Sequence, residues 1–143
     1  MKNHILKSVI ILALLLSLLF LSACYSTREK KYYSERENYV DATGTITHIA
    51  YNEANDVLYL GFSELNPKFD DTSFKIVGKN LSIVQENGID DKIAIGDTLE
   101  FISAPRYFGD GYVMPIVEVS VNGEELLEFE EGYSNLLEWL GAK

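Results

Sequence analysis

Val40-Asp41-Ala42-Thr43-Gly44-Thr45-Ile46-Thr47-His48-Ile49-Ala50-Tyr51 alternates β-branched or apolar residues with polar ones, and this stretch decides the fold. Period-two patterning marks a half-buried strand, because successive side chains leave opposite faces of the backbone. Asn52-Glu53-Ala54-Asn55-Asp56 then supplies turn residues, and Val57-Leu58-Tyr59-Leu60-Gly61-Phe62 returns as a partner strand. Gly44 and Gly61 lie inside these strands, where glycine marks a bend or bulge of the kind a barrel wall needs.

The reading extends outward in both directions. Asn66-Pro67 through Asp71-Thr72 is a polar loop. Phe74 to Gly78 and Leu81 to Val84 are two further short strands, followed by a tight turn at Asn87-Gly88. Gly96-Asp97 leads into a strand at Thr98 to Ser103. Tyr112 to Val121 is another strand, and Pro115 places it at an edge or bulge because proline donates no ladder hydrogen bond. After Asn122-Gly123, Glu124 to Phe129 either closes a hairpin or begins a helix, and the alternation favours the hairpin. Phe129, Tyr133, Leu136, Leu137 and Leu140 then follow helical spacing, with Trp139 at the flank. Glu130 and Glu131 near the helix start oppose its dipole favourably, and Gly141 supplies a stop. About six short strands at such spacing predict a small barrel or sandwich. Bends at glycine and a single capping helix favour the barrel. The pattern resembles the OB or SH3-like class: mainly β, about six strands, with a C-terminal α-helix. That likeness implies a fold and no particular activity.

The segment before the body carries an address. Lys2 and Lys7 give a basic start, Val9 to Leu21 is an almost unbroken apolar run, and Ser22-Ala23 are small. A charged start, an apolar centre and small residues before a cut site form an export signal. Leu21-Ser22-Ala23-Cys24 resembles the lipobox of bacterial lipoproteins. The resemblance implies a diacylglyceryl group on the Cys24 thiol and cleavage just before it. The product would be held to the cell membrane or outer membrane on the extracytoplasmic side. Two acyl chains anchor stably, since each buried CH₂ adds roughly 0.8 kcal/mol. The alternatives are an uncleaved membrane helix, since Ile5 to Ala23 is close to the roughly 20 residues that span a bilayer, and a plain secretory signal cut elsewhere. The expected organisation is a signal peptide at 1–23, a lipid-anchored polar linker at 24–38, and a barrel domain with its C-terminal helix at 39–143. Tyr25 to Asn38 has no aliphatic residue and no glycine or proline, and is expected to be a solvated tether. Arg28, Lys30 and Lys31 would be drawn to anionic headgroups near the lipid.

Charge and composition narrow the function. The 143-residue chain carries 22 acids against 12 bases, with one cysteine and two histidines. Cleavage before Cys24 would remove Lys2 and Lys7, leaving ten bases against 22 acids and a net charge of −12. These counts argue against a disulfide scaffold, a Cys/His zinc site and an electrostatically driven nucleic-acid binder. Lipidation would also consume the only thiol. No nucleophile elbow, phosphate loop, dinucleotide fingerprint or zinc-protease motif is present. His48, alone in the body, makes neither a triad nor a metal site. Asp70-Asp71 and Asp90-Asp91 lack the alternating spacing of a calcium loop and read as solvated loop acids. No catalytic residue, metal or cofactor is therefore expected.

The sharpest local feature is Ala104-Pro105-Arg106-Tyr107-Phe108-Gly109-Asp110-Gly111-Tyr112. Arg106 is the only arginine of the body and stands among aromatic rings, a combination suited to a carboxylate, a ring or a sugar. Arg106, Tyr107, Phe108, Asp110 and Tyr112 are the candidate ligand-binding residues, for a protein, peptide or glycan. The competing reading is a long hairpin in which the aromatics cover the barrel end and Arg106 pairs with a neighbouring acid. The leading expectation is a non-enzymatic binding or scaffolding module anchored to the membrane. An acidic inhibitor or immunity-type lipoprotein is the alternative, with Glu124, Glu125, Glu128, Glu130, Glu131 and Glu138 facing a basic protein or toxin. A hydrolase using an unrecognised carboxylate pair is the third reading.

Overall fold

The computed structural model describes residues 2–108 and 113–143, with side chains described outside 2–6 and 20–25. Helix α1 (Lys2–Ser34) runs into a 3₁₀ turn at Arg36–Asn38. Six strands follow among the described residues: β1 (Val40–Asn52), β2 (Val57–Asn66), β3 (Ser73–Val77), β4 (Thr98–Ser103), β5 (Val113–Val121) and β6 (Glu124–Leu127). Helices α2 (Gly78–Glu86) and α3 (Ile89–Lys92) lie between β3 and β4, and α4 (Phe129–Trp139) ends the chain. Among the described residues, no helix is long and apolar enough to cross a membrane.

The strands form a small closed barrel. The ladder runs β3-β2-β1-β4-β5, all antiparallel, and β5 returns to pair parallel with β3 at Ser73↔Val113, Phe74↔Met114 and Lys75↔Pro115. Strand β6 adds to β5 as a hairpin outside the closed ring. A parallel seam needs a crossover, which α2, α3 and β4 provide. That closure, with helix inserted between β3 and β4, is the OB arrangement rather than the SH3-like one.

Curvature arises where the glycines stand. Moving along β1 from Thr43 to Thr45, the partner on β2 jumps from Asn66 to Ser63, and Glu64 in the skipped stretch has φ of 54°. From Ile46 to His48, β1 advances two residues while β2 moves only from Phe62 to Gly61. These bulges bend β1, so that Val40–Thr45 pair with β4 while Thr43–Asn52 pair with β2. A Cβ on Gly44 would lie 2.9 Å from Phe62 Cδ1, so the inward bend admits no side chain there.

The barrel interior is aromatic at one level. Phe62 stacks on Phe101 at 4.8 Å, and Phe74 meets Phe62 edge-on at 5.4 Å and Phe101 at 5.0 Å. Leu81, Val84 and Ile89 join the same buried cluster from α2 and α3. Here the structure differs from the expected strand at Leu81 to Val84, which is part of helix α2. Gly78, at φ of 56°, turns the chain out of β3. Helical spacing then buries Asn80, Leu81 and Val84 while Ser82 stays exposed, a set that period-two alternation would separate. Gly88 is not a hairpin turn but a left-handed stop after α2, and its N–H bonds to the Gln85 carbonyl at 3.0 Å. Asp90 and Asp91 consequently lie in the first turn of α3 rather than in a loop.

Asn122 and Gly123, both at positive φ, make the tight turn between β5 and β6, so Glu124–Leu127 is strand and Phe129 opens the helix. Helix α4 lies close on β5. Leu136 packs with Val57, Val77 and Val117 in a second buried cluster. Asn80 Nδ2 donates to the Gly132 carbonyl at 2.8 Å, and Asn135 Nδ2 donates to Asn80 Oδ1 at 3.1 Å. Buried Asn80 and half-buried Asn135 thus tie α4 to α2, and no buried side-chain polar atom among the described residues lacks a partner.

The expected solvated tether is also corrected. Residues 25–34 continue α1, and Tyr33 is only 2% exposed. Glu, Lys and Arg are good helix formers, and tyrosine rings supply the apolar contacts that aliphatic residues would have supplied.

Candidate functional site

The aromatic loop after β4 folds back onto the end of α1. Tyr33 Oη donates to the Arg106 carbonyl at 2.8 Å. The Phe108 ring lies 5.2 Å from Tyr32 and 5.7 Å from Tyr33. The Arg106 guanidinium stands 6.0 Å from the Tyr32 ring centroid. Tyr107, half-buried, packs against the barrel core. Thus the structure brings Arg106 and Phe108 together with two tyrosines from the linker, while Tyr107 packs on the core. Asp110 and Tyr112 lie outside the described residues. Burial pushes the Tyr33 phenol well above its ordinary range, and Tyr32 is raised for the same reason, with Arg106 opposing the rise. Both phenols therefore stay protonated.

A second cluster completes the junction. Tyr133 Oη donates to the Ser34 carbonyl at 2.6 Å, and Tyr39 Oη donates to the Tyr33 carbonyl at 2.8 Å. Tyr39 meets Tyr133 edge-on at 5.5 Å, and the Arg36 guanidinium stands 4.7 Å from the Tyr133 ring. Arg36 also grips Glu130 with both terminal nitrogens, which holds the Glu130 carboxyl below the usual carboxylate range. Tyr32, Tyr33, Arg36 and Tyr39 were not candidates from the sequence. The available signal was the density of tyrosine in a segment without aliphatic residues.

Several open faces remain. One is a groove of about 490 Å³ on β1, β4 and β5, lined by Asp41, Glu100, Glu118, Ser120, Asn66 and Pro67. Burial raises the Glu118 carboxyl above its ordinary range, and Glu125, Asp41 and Glu128 add repulsion. Below the ordinary glutamate range the folded and unfolded chains are both protonated there, and Glu118 contributes nothing. As pH rises through that range and the raised folded value, ionisation costs the folded state more than the unfolded. Glu118→Gln is therefore expected to raise the melting temperature at pH 7 by roughly 1–3 °C, a gain that vanishes near pH 4. Thermal melts at the two pH values check this.

Another face surrounds Trp139 at the end of α4. Asn55, Val57, Tyr59, Lys75, Val113 and Trp139 line a cleft of about 320 Å³. Gly78, Lys79, Asn135 and Glu138 line an adjoining one of about 260 Å³ that shares Trp139 with it. Lys75 Nζ stands 5.0 Å from the Trp139 ring centroid, while Lys79 pairs with Glu138 at 2.7 Å. In the sequence Trp139 marks only the flank of the helix.

The acid pairs gather no ligand set. Asp71 accepts from the neighbouring Thr72 N–H at 2.6 Å, and His48 is exposed on β1. Among the described residues, no three His, Cys, Asp or Glu side chains come together as metal ligands. Comparison with protein-family models, with curated proteins and with solved structures finds no match to this chain.

Proposed function

We propose that the protein is a membrane-anchored extracytoplasmic lipoprotein whose OB-type barrel works as a non-enzymatic binding or scaffolding module. The observation that carries this reading is the junction just described. Cys24 lies within α1, and the helix from Cys24 to Ser34 covers three turns, about 16 Å. An isolated helix of that length is marginal in water. Its last turn is held by Tyr33, Tyr39, Tyr133 and the Arg36–Glu130 pair. A lipid on Cys24 would thus connect to the barrel through a short, directed stalk. Arg28, Lys30 and Lys31 on that stalk favour anionic headgroups. OB-type barrels offer an exposed sheet face and loops to ligands, and these supply the binding surface.

Intact mass of the native protein tests the anchor. The expected product lacks residues 1–23 and carries a diacylglyceryl group on Cys24, and Cys24→Ser keeps its leader without lipid. An intact Met1 or a bare thiol on a freely soluble product overturns the reading.

The acidic groove at Asp41, Glu100 and Glu118 favours a second reading, an inhibitor or immunity-type lipoprotein that blocks a basic protein. Pull-down from membranes separates the two. A basic partner released by salt supports the inhibitor, and a salt-insensitive partner supports contact through the uncharged surfaces.

A further inference from the structure

We infer that the open edge of β1, from Thr47 to Asn52, pairs with the same edge of a second copy of this chain, antiparallel across a two-fold axis that passes between the two Ala50 residues. The inference goes beyond the anchored-module reading and stands without it. Strand β1 is 13 residues long, but its ladder with β4 ends at Thr45↔Thr98. The loop before β4 adds one step more. The Ile46 N–H donates to the Asp97 carbonyl and the Gly96 N–H donates to the Ile46 carbonyl, both at 2.8 Å. On its other side β1 stays paired with β2 as far as Asn52↔Val57. Among the described residues, the stretch from Thr47 to Asn52 is therefore paired with a strand along one edge only. Proteins commonly blunt such an edge with lysine, proline or a covering helix. These six residues include neither lysine nor proline.

Charge selects the occupant. The chain carries a net charge of −10, so two copies repel over most approaches. From Ala42 to Asn52 there is no Asp, Glu, Lys or Arg, and like-charged copies can meet along this neutral strip. A basic partner would instead seek the groove at Asp41, Glu100 and Glu118. A strand paired antiparallel with itself generates a two-fold axis, the commonest symmetry of homo-oligomers. Side chains then fix the register. Ile49 and Tyr51 share a face, being two residues apart, and stand opposite the buried Leu60 and Leu58 of β2. Tyr51 is nonetheless 46% exposed. With Ala50 opposite Ala50, each Ile49 faces the Tyr51 of the other copy. The row Leu60, Ile49, Tyr51, Leu58 then crosses four strands, with favourable aromatic and β-branched pairs at its centre. Ile95, 68% exposed, flanks the start of the open stretch because the adjacent Gly96 bonds to Ile46. Six residues give a strip of about 20 Å, at the low end of interface sizes, so the dimer is expected to be weak and concentration-dependent.

Cys24 is the only cysteine, so the full chain with Cys24→Ser is a thiol-free background for single cysteines, studied in an excess of detergent micelles. Opposed residues of an antiparallel pair have Cα atoms about 4.5–5.5 Å apart, within disulfide reach. Ala50→Cys is expected to give a disulfide-linked dimer on treatment with diamide. The register puts residue 48 opposite residue 52, about 14 Å along the strand from its own copy. His48→Cys is therefore expected to cross-link at least tenfold less. Sedimentation equilibrium of the chain without substitutions is expected to show monomer and dimer. Tyr51→Lys, at an exposed position and checked for an unchanged melt, is expected to weaken that dimer at least tenfold. If Tyr51→Lys does not fold, the two cysteine variants decide. A monomer up to about 200 μM with no Ala50→Cys dimer overturns the inference. So does equal cross-linking at both positions, the mark of shared micelles, or a dimer that Tyr51→Lys leaves intact. Ala50→Cys joined to a different protein in oxidised membranes, in place of a second copy, overturns it too. The cysteine variants carry no lipid, so their failure leaves the anchor to be judged by the mass measurement.

Discussion

Gly132→Ala is expected to lower the melting temperature by about 10 °C or more, because among the described glycines residue 132 is the one where an added methyl group meets the closest backbone atom. The cause is geometric. A Cβ at residue 132 would lie 1.8 Å from the Val117 carbonyl oxygen and 2.7 Å from its carbon. Both are backbone atoms of β5, a strand hydrogen-bonded to neighbours on both sides, so neither yields as a side-chain tip would. Helix α4 must move away instead. That shift opens the contact of Leu136 with Val57, Val77 and Val117 and breaks the Asn80–Gly132 hydrogen bond. A cost of about 3 kcal/mol or more follows, only partly offset by the roughly 1 kcal/mol by which alanine is the better helix former. Thermal denaturation by circular dichroism checks it. A melt within a degree or two of the wild type would mean that α4 does not sit so close to β5.

Tyr33→Ala is expected to free α1 from the barrel. The ring is buried among Tyr32 and Phe108, and its hydroxyl holds the Arg106 carbonyl. Truncating a buried aromatic costs about 3–5 kcal/mol, and here the loss falls on one junction. Tyr33 belongs to neither buried cluster of the barrel, so the domain should survive while the joint opens. Trypsin is expected to cut the variant at Arg36 many times faster than the wild type. Tyr33→Phe, which loses one hydrogen bond worth about 1 kcal/mol, is expected to fall between them. Equal cleavage of Tyr33→Ala and wild type would show that the joint is held elsewhere.

Most strands were legible because the chain writes them in alternation. Val40–Tyr51, Val57–Phe62, Thr98–Ser103 and the hairpin after Asn122-Gly123 all pair where their patterns place them. The OB closure was legible only as a class, because the β3–β5 seam joins segments with no local sign of each other. Helix α2 was hidden for a related reason. Leu81-Ser82-Ile83-Val84 is β-rich in composition, and what overrides this is the space below the barrel that Leu81 and Val84 fill together. The junction was hidden because tyrosine is ambiguous: polar enough to read as tether, apolar enough to bury. Of the candidate ligand loop, Arg106 and Phe108 are engaged by α1, whereas the more open aromatic is Trp139, which no neighbouring motif announces.

Strand β5 acts as a keystone. It bonds to β3, β4 and β6 at once and carries α4 on its outer side. A chain delivered N-terminus first therefore holds β1 to β4 as an open sheet, with an unsatisfied edge on β3, until residues 113–121 arrive. Folding that waits on such distant pairing is slow, and the open edge invites association in the meantime. Any premature stop before β5 is expected to yield an aggregating fragment rather than a smaller working domain.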